Sequence, residues 1–281
     1  MSVQIGRDNL LELNKAYNMD CFKGMSELAT GSVDLILVDL PYGKTRNTWD
    51  EVIPHSRMWH DFWRVLKPNG NIVLFGQGIF SVKLIQSMDR FYRYTITWDK
   101  VLPTGFLNSK RMPLRVTEDI HVFYKKAPTY NPQMVVGNPC HKRGTATGKN
   151  CKQDGLNQHN YGDYVLVETE GDLKYPQSLW RCQKPHPSVA IHPTQKPVGL
   201  LCKLIETYSN ADELVLDCCC GSGSTLVAAK LTGRKYIGFD SGYCEKKQPE
   251  YAGKAWADIT NARLQTAETE RVEDVVMVST A

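Results

Sequence analysis

The tetrapeptide Asp39-Leu40-Pro41-Tyr42 sets an acid, a backbone carbonyl, a rigid imide and an aromatic ring side by side, directly after the apolar run Val33-Asp34-Leu35-Ile36-Leu37-Val38. An ionised carboxylate is purely an acceptor, Pro41 fixes its own φ, and Tyr42 offers a face for a flat heterocycle. These parts suit a planar substrate bearing N–H groups. The competing reading is a strand and turn in which Asp39 caps a neighbouring helix, and the tetrapeptide alone does not separate the two. A second stretch, Asp217-Cys218-Cys219-Cys220-Gly221-Ser222-Gly223-Ser224-Thr225, joins an apolar run to a helical pattern. Its glycines let the backbone approach a ligand, and the first N–H groups of the following helix are left unpaired for an anionic end. Asp240 closes the next apolar run about 20 residues on, the spacing of a ribose-binding carboxylate. Together they describe a nucleoside site. The missing third glycine of the dinucleotide fingerprint argues against a nicotinamide oxidoreductase.

The elements that must position these residues follow from periodicity. Residues 33–38 read as a buried parallel-type strand, with Asp39 at its C-terminal tip, the edge at which open α/β sheets bind ligands. Residues 11–21 predict a strand ending in Asp20-Cys21, and 22–29 a short helix. Met58, Trp59, Phe62, Trp63, Val65 and Leu66 recur at helical spacing, and Lys67-Pro68-Asn69-Gly70 stops that helix. Strands are expected at 71–76, 92–98 and 120–124, with a helix over 80–88. After Pro197 come a helix to Tyr208, a strand at 213–217, a helix from Leu226, a strand at 236–240 and a helix over 250–264. The alternation predicts a doubly wound α/β sheet with an antiparallel edge. The polar segment Lys44 to Asp50 reads as a mobile loop over a site or as plain surface, and Gln265 to Ala281 as a frayed or loosely docked tail.

Between 125 and 191 the apolar periodicity lapses. Lys125, Lys126, His141, Lys142, Arg143, Lys149, Lys152, Lys184 and His186 alternate there with Tyr130, Tyr161, Tyr175 and Trp180, a mixture suited to phosphate and base contacts or to a solvated linker. With 281 residues, 42% hydrophobic and 23% charged, the chain suits one large α/β domain or one domain with an insert. A net charge of +4 permits a polyanionic partner without requiring one. Nine cysteines, an odd number that includes three in a row, point to a reducing, cytoplasmic compartment. No apolar run reaches transmembrane length, and the N-terminus lacks the apolar stretch of a signal peptide. Cys140, His141, Cys151 and His159 lack a C-x-x-C pair, so no metal is expected. Pro139-Cys140 matches the dipeptide of cysteine-dependent cytosine methylation but falls in the irregular stretch, away from any strand tip.

The order Asp39-Leu40-Pro41-Tyr42, then His192-Pro193-Thr194-Gln195-Lys196-Pro197 with a helix, then Asp217 to Thr225, then Tyr236-Ile237-Gly238-Phe239-Asp240 resembles the beta-class amino-group DNA methyltransferases. That resemblance implies a circularly permuted, Rossmann-like class I methyltransferase sheet: a catalytic half over 1–126, a target-recognition region over 127–191, an S-adenosylmethionine-binding half over 192–264 and a flexible tail over 265–281. It implies S-adenosyl-L-methionine as cofactor, double-stranded DNA as partner, a bacterial or phage origin within restriction–modification, and it allows a homodimer. By motif matching, Asp20 and Cys21 belong near the adenine of the cofactor, Lys196 and Pro197 near its carboxylate, and Asp217, Cys219, Gly221, Ser222, Gly223, Ser224 and Thr225 around its methionine portion. Asp240 belongs on the ribose, and Asp39 serves both cofactor and base. Trp98, Lys100, Asn108, Glu118 and Phe123 match the motif lining the base pocket. The implied reaction is direct methyl transfer to the N6 amine of a flipped adenine. Cytosine N4 methylation, or a DNA-binding protein of this fold without turnover, is the alternative. The chain departs from the family at Leu40, where proline is usual, at Cys218-Cys219, where Pro-Phe is usual, at Ser224, where threonine is usual, and in a longer spacing after Asp240.

Overall fold

The computed structural model describes residues 11–44, 50–137, 172–186, 188, 190–192, 194–244, 250–269, 272 and 275–277. In chain order the elements are β1 (Lys15–Asn18), α1 (Cys21–Ser26), β2 (Val33–Val38), α2 (His55–Val65), β3 (Leu66–Gly76), α3 (Ile79–Gln86), β4 (Tyr92–Thr104) and β5 (Arg115–Phe123). They continue with β6 (Val135–Val136), β7 (Leu173–Lys174), β8 (Leu179–Cys182), α4 (Val198–Tyr208), β9 (Leu214–Asp217), α5 (Ser224–Leu231), β10 (Lys235–Asp240), α6 (Trp256–Gln265) and β11 (Val275–Met277). Two compact units separate, one of residues 1–131 with 178–276 and one of 132–177 with 277–281. In the second, β6 and β7 pair antiparallel.

The first unit is built on a sheet of order β1-β10-β9-β2-β3-β5-β4-β8-β11. Strands β1, β10, β9, β2 and β3 run parallel, while β5 lies antiparallel to both β3 and β4. β2 is apolar throughout except at Asp34 because both of its faces are covered. Val33, Ile36 and Val38 join a cluster with Met25 of α1, Phe62 of α2, Leu216 of β9 and Phe239 of β10, while Leu35 and Leu37 are equally buried outside that cluster. Asp34 is the exception with a purpose: it accepts from Lys67 Nζ at 2.7 Å and from the Leu214 N–H at 2.9 Å, tying β3 and β9 to the entry of β2.

The seam between β2 and β9 sets the site. From β9 the chain winds through α5 to β10 on one side, and from β2 through α2 to β3 on the other, so the two strands flank a topological switch point. In their parallel register Leu35 faces Val215 and Ile36 faces Leu216. Asp39 and the glycine-rich turn therefore leave the sheet at the same edge, where Asp240 also stands, two residues beyond the pairing of Gly238 with Asp217.

Several expectations are corrected. The irregular reading of 125–191 missed β8, which pairs in parallel with β4. There Trp180 and Cys182 are buried while Leu179 and Arg181 are exposed, a period of two confined to four residues and hidden among prolines and lysines. Trp180 is thus a packing residue. Lys125 sits 4.6 Å from the centroid of Trp63, on the ring rather than in a basic groove. The tail is not frayed throughout, since Val275–Met277 joins the sheet edge. His141, Lys142, Arg143, Lys149, Lys152, Tyr161 and the set Cys140, His141, Cys151 and His159 lie outside the described residues.

Candidate active site

At the tip of β2, Asp39 is held on both oxygens. Its Oδ1 accepts from the Tyr42 hydroxyl at 2.8 Å and its Oδ2 from Lys196 Nζ at 2.5 Å. Glu118 of β5 shares both donors, accepting on Oε1 from Tyr42 at 3.0 Å and from Lys196 at 2.9 Å, while Lys100 Nζ lies 3.7 Å from its Oε2. Two carboxylates, two ammonium groups and a phenol thus form one network, largely buried except at Asp39, whose side chain is 24% exposed. Burial pushes Asp39 above the usual carboxylate range, an effect Lys196 only partly offsets. Glu118 is also pushed up by burial, but Lys196 and Lys100 bring it below its ordinary value. Asp39 is therefore the carboxylate better placed to take up a proton. Lys196, penalised by burial, is held above its ordinary value by the two acids, so it stays charged.

The Tyr42 ring lies 4.7 Å from that of Phe80, tilted 31°, and is oriented from behind by this aromatic neighbour. Leu40 is 4% exposed and its side chain belongs to the core. Asp50 accepts from the N–H groups of Gly43 and Lys44 at 2.8 and 2.9 Å, pinning both ends of the loop read as mobile; residues 45–49 lie outside the described residues.

The cleft continues from Asp39 to the glycine-rich turn, with a volume of about 700 Å³. Asp240 holds that turn by accepting from Gly221 N–H at 2.8 Å, and its other oxygen accepts from Gly242 N–H at 2.8 Å. Helix α6 braces the turn from below: Thr260 donates to the Gly221 carbonyl at 2.9 Å and Arg263 to the Ser222 carbonyl at 2.9 Å. Gly223 has φ +79°, and a Cβ there would collide with Thr260. At Gly221, φ +48°, a Cβ would meet nothing nearer than His192 at 3.9 Å, so the backbone faces open space. A bare turn of this kind, followed by the first N–H groups of α5, fits a ligand with a carboxylate and a nucleoside. Asp217 accepts from Cys219 N–H at 3.0 Å, and burial raises it to about 7. Burial also holds Cys21 up at about 12 and Cys220 well above the ordinary thiol value, so neither is a thiolate nucleophile at neutral pH.

Most residues picked from the sequence line this one cleft: Asp20, Cys21, Asp39 to Tyr42, Lys196, Asp217, Cys219, Gly221, Ser222, Ser224, Thr225 and Asp240. Pro197 and Gly223 are buried behind it. Asp20 also caps α1, accepting from Phe22 N–H and Lys23 N–H. Lys196, expected at the carboxylate of a cofactor, pairs with Asp39 and Glu118. Of the residues matched to the base pocket, Trp98, Lys100 and Glu118 line the cleft, whereas Phe123 is in the core and Asn108 lies out on the β4–β5 hairpin. Trp256 also lines it and was not singled out, whereas His192 comes from the quoted His192-Pro197 motif and Lys184 from the basic stretch. Nothing in the sequence spacing marks Trp256, because it arrives from the start of α6, away from every quoted motif.

A parallel sheet with an antiparallel edge, an acidic cluster at one tip and a glycine-rich nucleoside cradle at the neighbouring tip define a class I methyltransferase architecture. The family profile described as DNA methylase, for N6 and N4 amino groups, matches residues 33–248. The chain belongs to this family of S-adenosylmethionine-dependent DNA amino-methyltransferases. Type II methyltransferase M1.MboII of Moraxella bovis is 29% identical over 246 residues, 82% of this chain and 93% of that protein. M2.LlaDCHI of Lactococcus lactis subsp. cremoris is 28% identical over 251 residues, 79% of this chain and 82% of its own. Among solved structures, the M1.HpyAVI–SAM complex shares the fold with a TM-score of 0.54 at 22% identity, covering 89% of this chain and 98% of that one. The cytosine-N4-specific PvuII DNA methyltransferase does so with a TM-score of 0.55 at 15% identity, covering 90% and 92%. Among the described residues no helix is long and apolar enough to cross a membrane.

Proposed function

We propose that this methyltransferase acts on the N6 amine of adenine in double-stranded DNA, with Asp39 and the Leu40 carbonyl as acceptors for the two amine N–H groups. The observation that carries the reading is the placement of an oriented Asp39 carboxylate in the same cleft as the glycine-rich turn. An exocyclic amine is a weak nucleophile because its lone pair is delocalised into the ring. Two acceptors that fix its hydrogens draw the lone pair back onto nitrogen and aim it. Because Asp39 is already raised by burial, it is suited to take the proton that the amine sheds on alkylation. Glu118 then keeps Lys196 paired, so the ammonium is never left alone in a dry site. The Tyr42 face stacks on a base that has left the duplex. S-adenosylmethionine, when bound, supplies an electrophilic methyl group. Residues Asp217 to Thr225 hold its methionine portion, Asp240 its ribose, and Asp20 with Cys21 its adenine end.

Asp at the first tetrapeptide position favours adenine by family resemblance, whereas the fold is shared with a cytosine-N4-specific enzyme and does not discriminate. Digestion of DNA methylated by the purified protein to nucleosides tests the choice. N6-methyladenine is expected, and N4-methylcytosine alone refutes the assignment. Substantial transfer by Asp39→Ala would refute the mechanism.

A further inference from the structure

The β4–β5 hairpin projects beyond what the sheet needs. After Asp99 the ladder is interrupted, and it resumes with Thr104 opposite Arg115. Val101 takes φ +65°, and Gly105 takes φ +93° at the head of a one-turn helix, Phe106–Asn108. The tip is tightly bonded to itself: Asn108 N–H donates to the Gly105 carbonyl at 3.0 Å, Arg111 N–H to Asn108 at 2.8 Å, and Met112 N–H to Asn108 at 3.0 Å. A rigid turn of this kind ought to bury its apolar residues. Instead Phe106 is 63% exposed, Leu107 101% and Met112 48%.

What covers them is indicated by charge and by position. Between Lys100 and Arg115 the chain carries Lys110 and Arg111 and no acid at all. An exposed apolar tip flanked only by cations complements a polyanion with an apolar interior, which describes a stacked duplex. The base of the same hairpin, through Thr104 and Arg115, lines the cleft that holds Asp39. A base cannot reach Asp39 from within the helix, and extrusion leaves a gap in the stack. We propose that Phe106 and Leu107 form a wedge that enters the duplex at the target and occupies that gap, while Lys110 and Arg111 seat the flanking phosphates. The proposal rests on the reading that the target base leaves the duplex to meet Asp39.

The test uses the full-length protein and a duplex spanning the site it protects from nuclease, with 2-aminopurine placed at each purine of that site in turn. Wild-type protein should raise the emission at the steps beside the target, and Phe106→Ala/Leu107→Ala should abolish the rise while binding S-adenosylmethionine normally. On fully paired DNA the variant's kcat/KM should fall by about a hundredfold, the scale of one uncompensated unstacking step. It should return to within about threefold of wild type when the residue opposite the target is an abasic site, because extrusion is then nearly free. An equal deficit on both duplexes, an unchanged emission rise, or a fall in molecular mass by light scattering that marks the tip as a self-association face would each overturn the proposal. Normal emission changes with no methylated product from the wild type would refute the catalytic reading and leave the wedge standing.

Discussion

Replacing Lys196 with methionine removes the one cation among the described residues that touches both Asp39 and Glu118, at 2.5 and 2.9 Å, and keeps the volume of its stem. Removing one partner of a buried pair costs roughly 3–5 kcal/mol. Lys100 still lies 3.7 Å from Glu118, so the lower end, about 3 kcal/mol at pH 8, is expected here. The two acids then face one another through Tyr42 with less compensation, and one must hold a proton in the folded state that it releases on unfolding. Its folded pKa is raised above its unfolded value, so its contribution is fully present below about pH 4 and is lost as pH rises through the folded pKa. The slope is about 1.4 kcal/mol per pH unit for one proton. Urea titrations at pH 5 and pH 8 should therefore show a deficit that is small at the lower pH and large at the higher. Methyl transfer at pH 7 should drop by roughly 10²–10⁴-fold, the usual worth of a positioned proton acceptor, because a protonated Asp39 can no longer take the proton of the amine. A deficit independent of pH, or a variant as stable as wild type at pH 8, would refute the account of Lys196 as the counter-ion of both acids.

Two further outcomes follow from the glycine-rich turn. Asp217 is raised by burial to about 7, so ionising it destabilises the free protein as pH climbs from about 4 through 7, and a cationic cofactor should bind more tightly over the same climb. Calorimetry of S-adenosylmethionine at pH 6 and pH 8 should show this gain for wild type and a flat profile for Asp217→Asn; a gain that persists in the variant assigns the titration elsewhere. Gly223→Ala sets a Cβ against Thr260 at φ +79°, so a loss of about 1–3 kcal/mol in thermal or urea unfolding is expected, together with weaker cofactor binding. Unchanged stability would show that α6 gives way more readily than its hydrogen bonds to the turn suggest.

The parts of the fold that were legible in the sequence are those whose periodicity is long or whose burial is two-sided. β2 and α4 announce themselves by an apolar run broken only at Asp34 and by helical spacing, and the acids at three strand tips follow once the strands are placed. β8 was not legible because its alternation lasts four residues and its neighbours are loop-like. The pairing of Lys196 with Asp39 and Glu118 was not legible because a motif gives a residue's neighbourhood and not the direction of its side chain. Glu118 is 79 residues from Asp39 in sequence, so only the return of β5 alongside β3 brings the two acids together. The exposed hairpin tip carried no periodic signal at all; its meaning depends on solvent exposure, which sequence does not record.

The seam at which Leu35 meets Val215 joins two stretches of chain 180 residues apart. Among the described residues it is held by ladder bonds, by the packing of Ile36 with Leu216 in one core and by the Asp34 tie to Leu214. The acid on one tip and the cradle on the other would therefore stand together whichever stretch the ribosome made first. What the chemistry cannot survive is a slip along that seam: a single step would carry Asp39 about 3.3 Å from its station and turn every side chain of β2 to the opposite face. Chain order is thus a matter of indifference to this reaction, and alignment at one narrow junction is not.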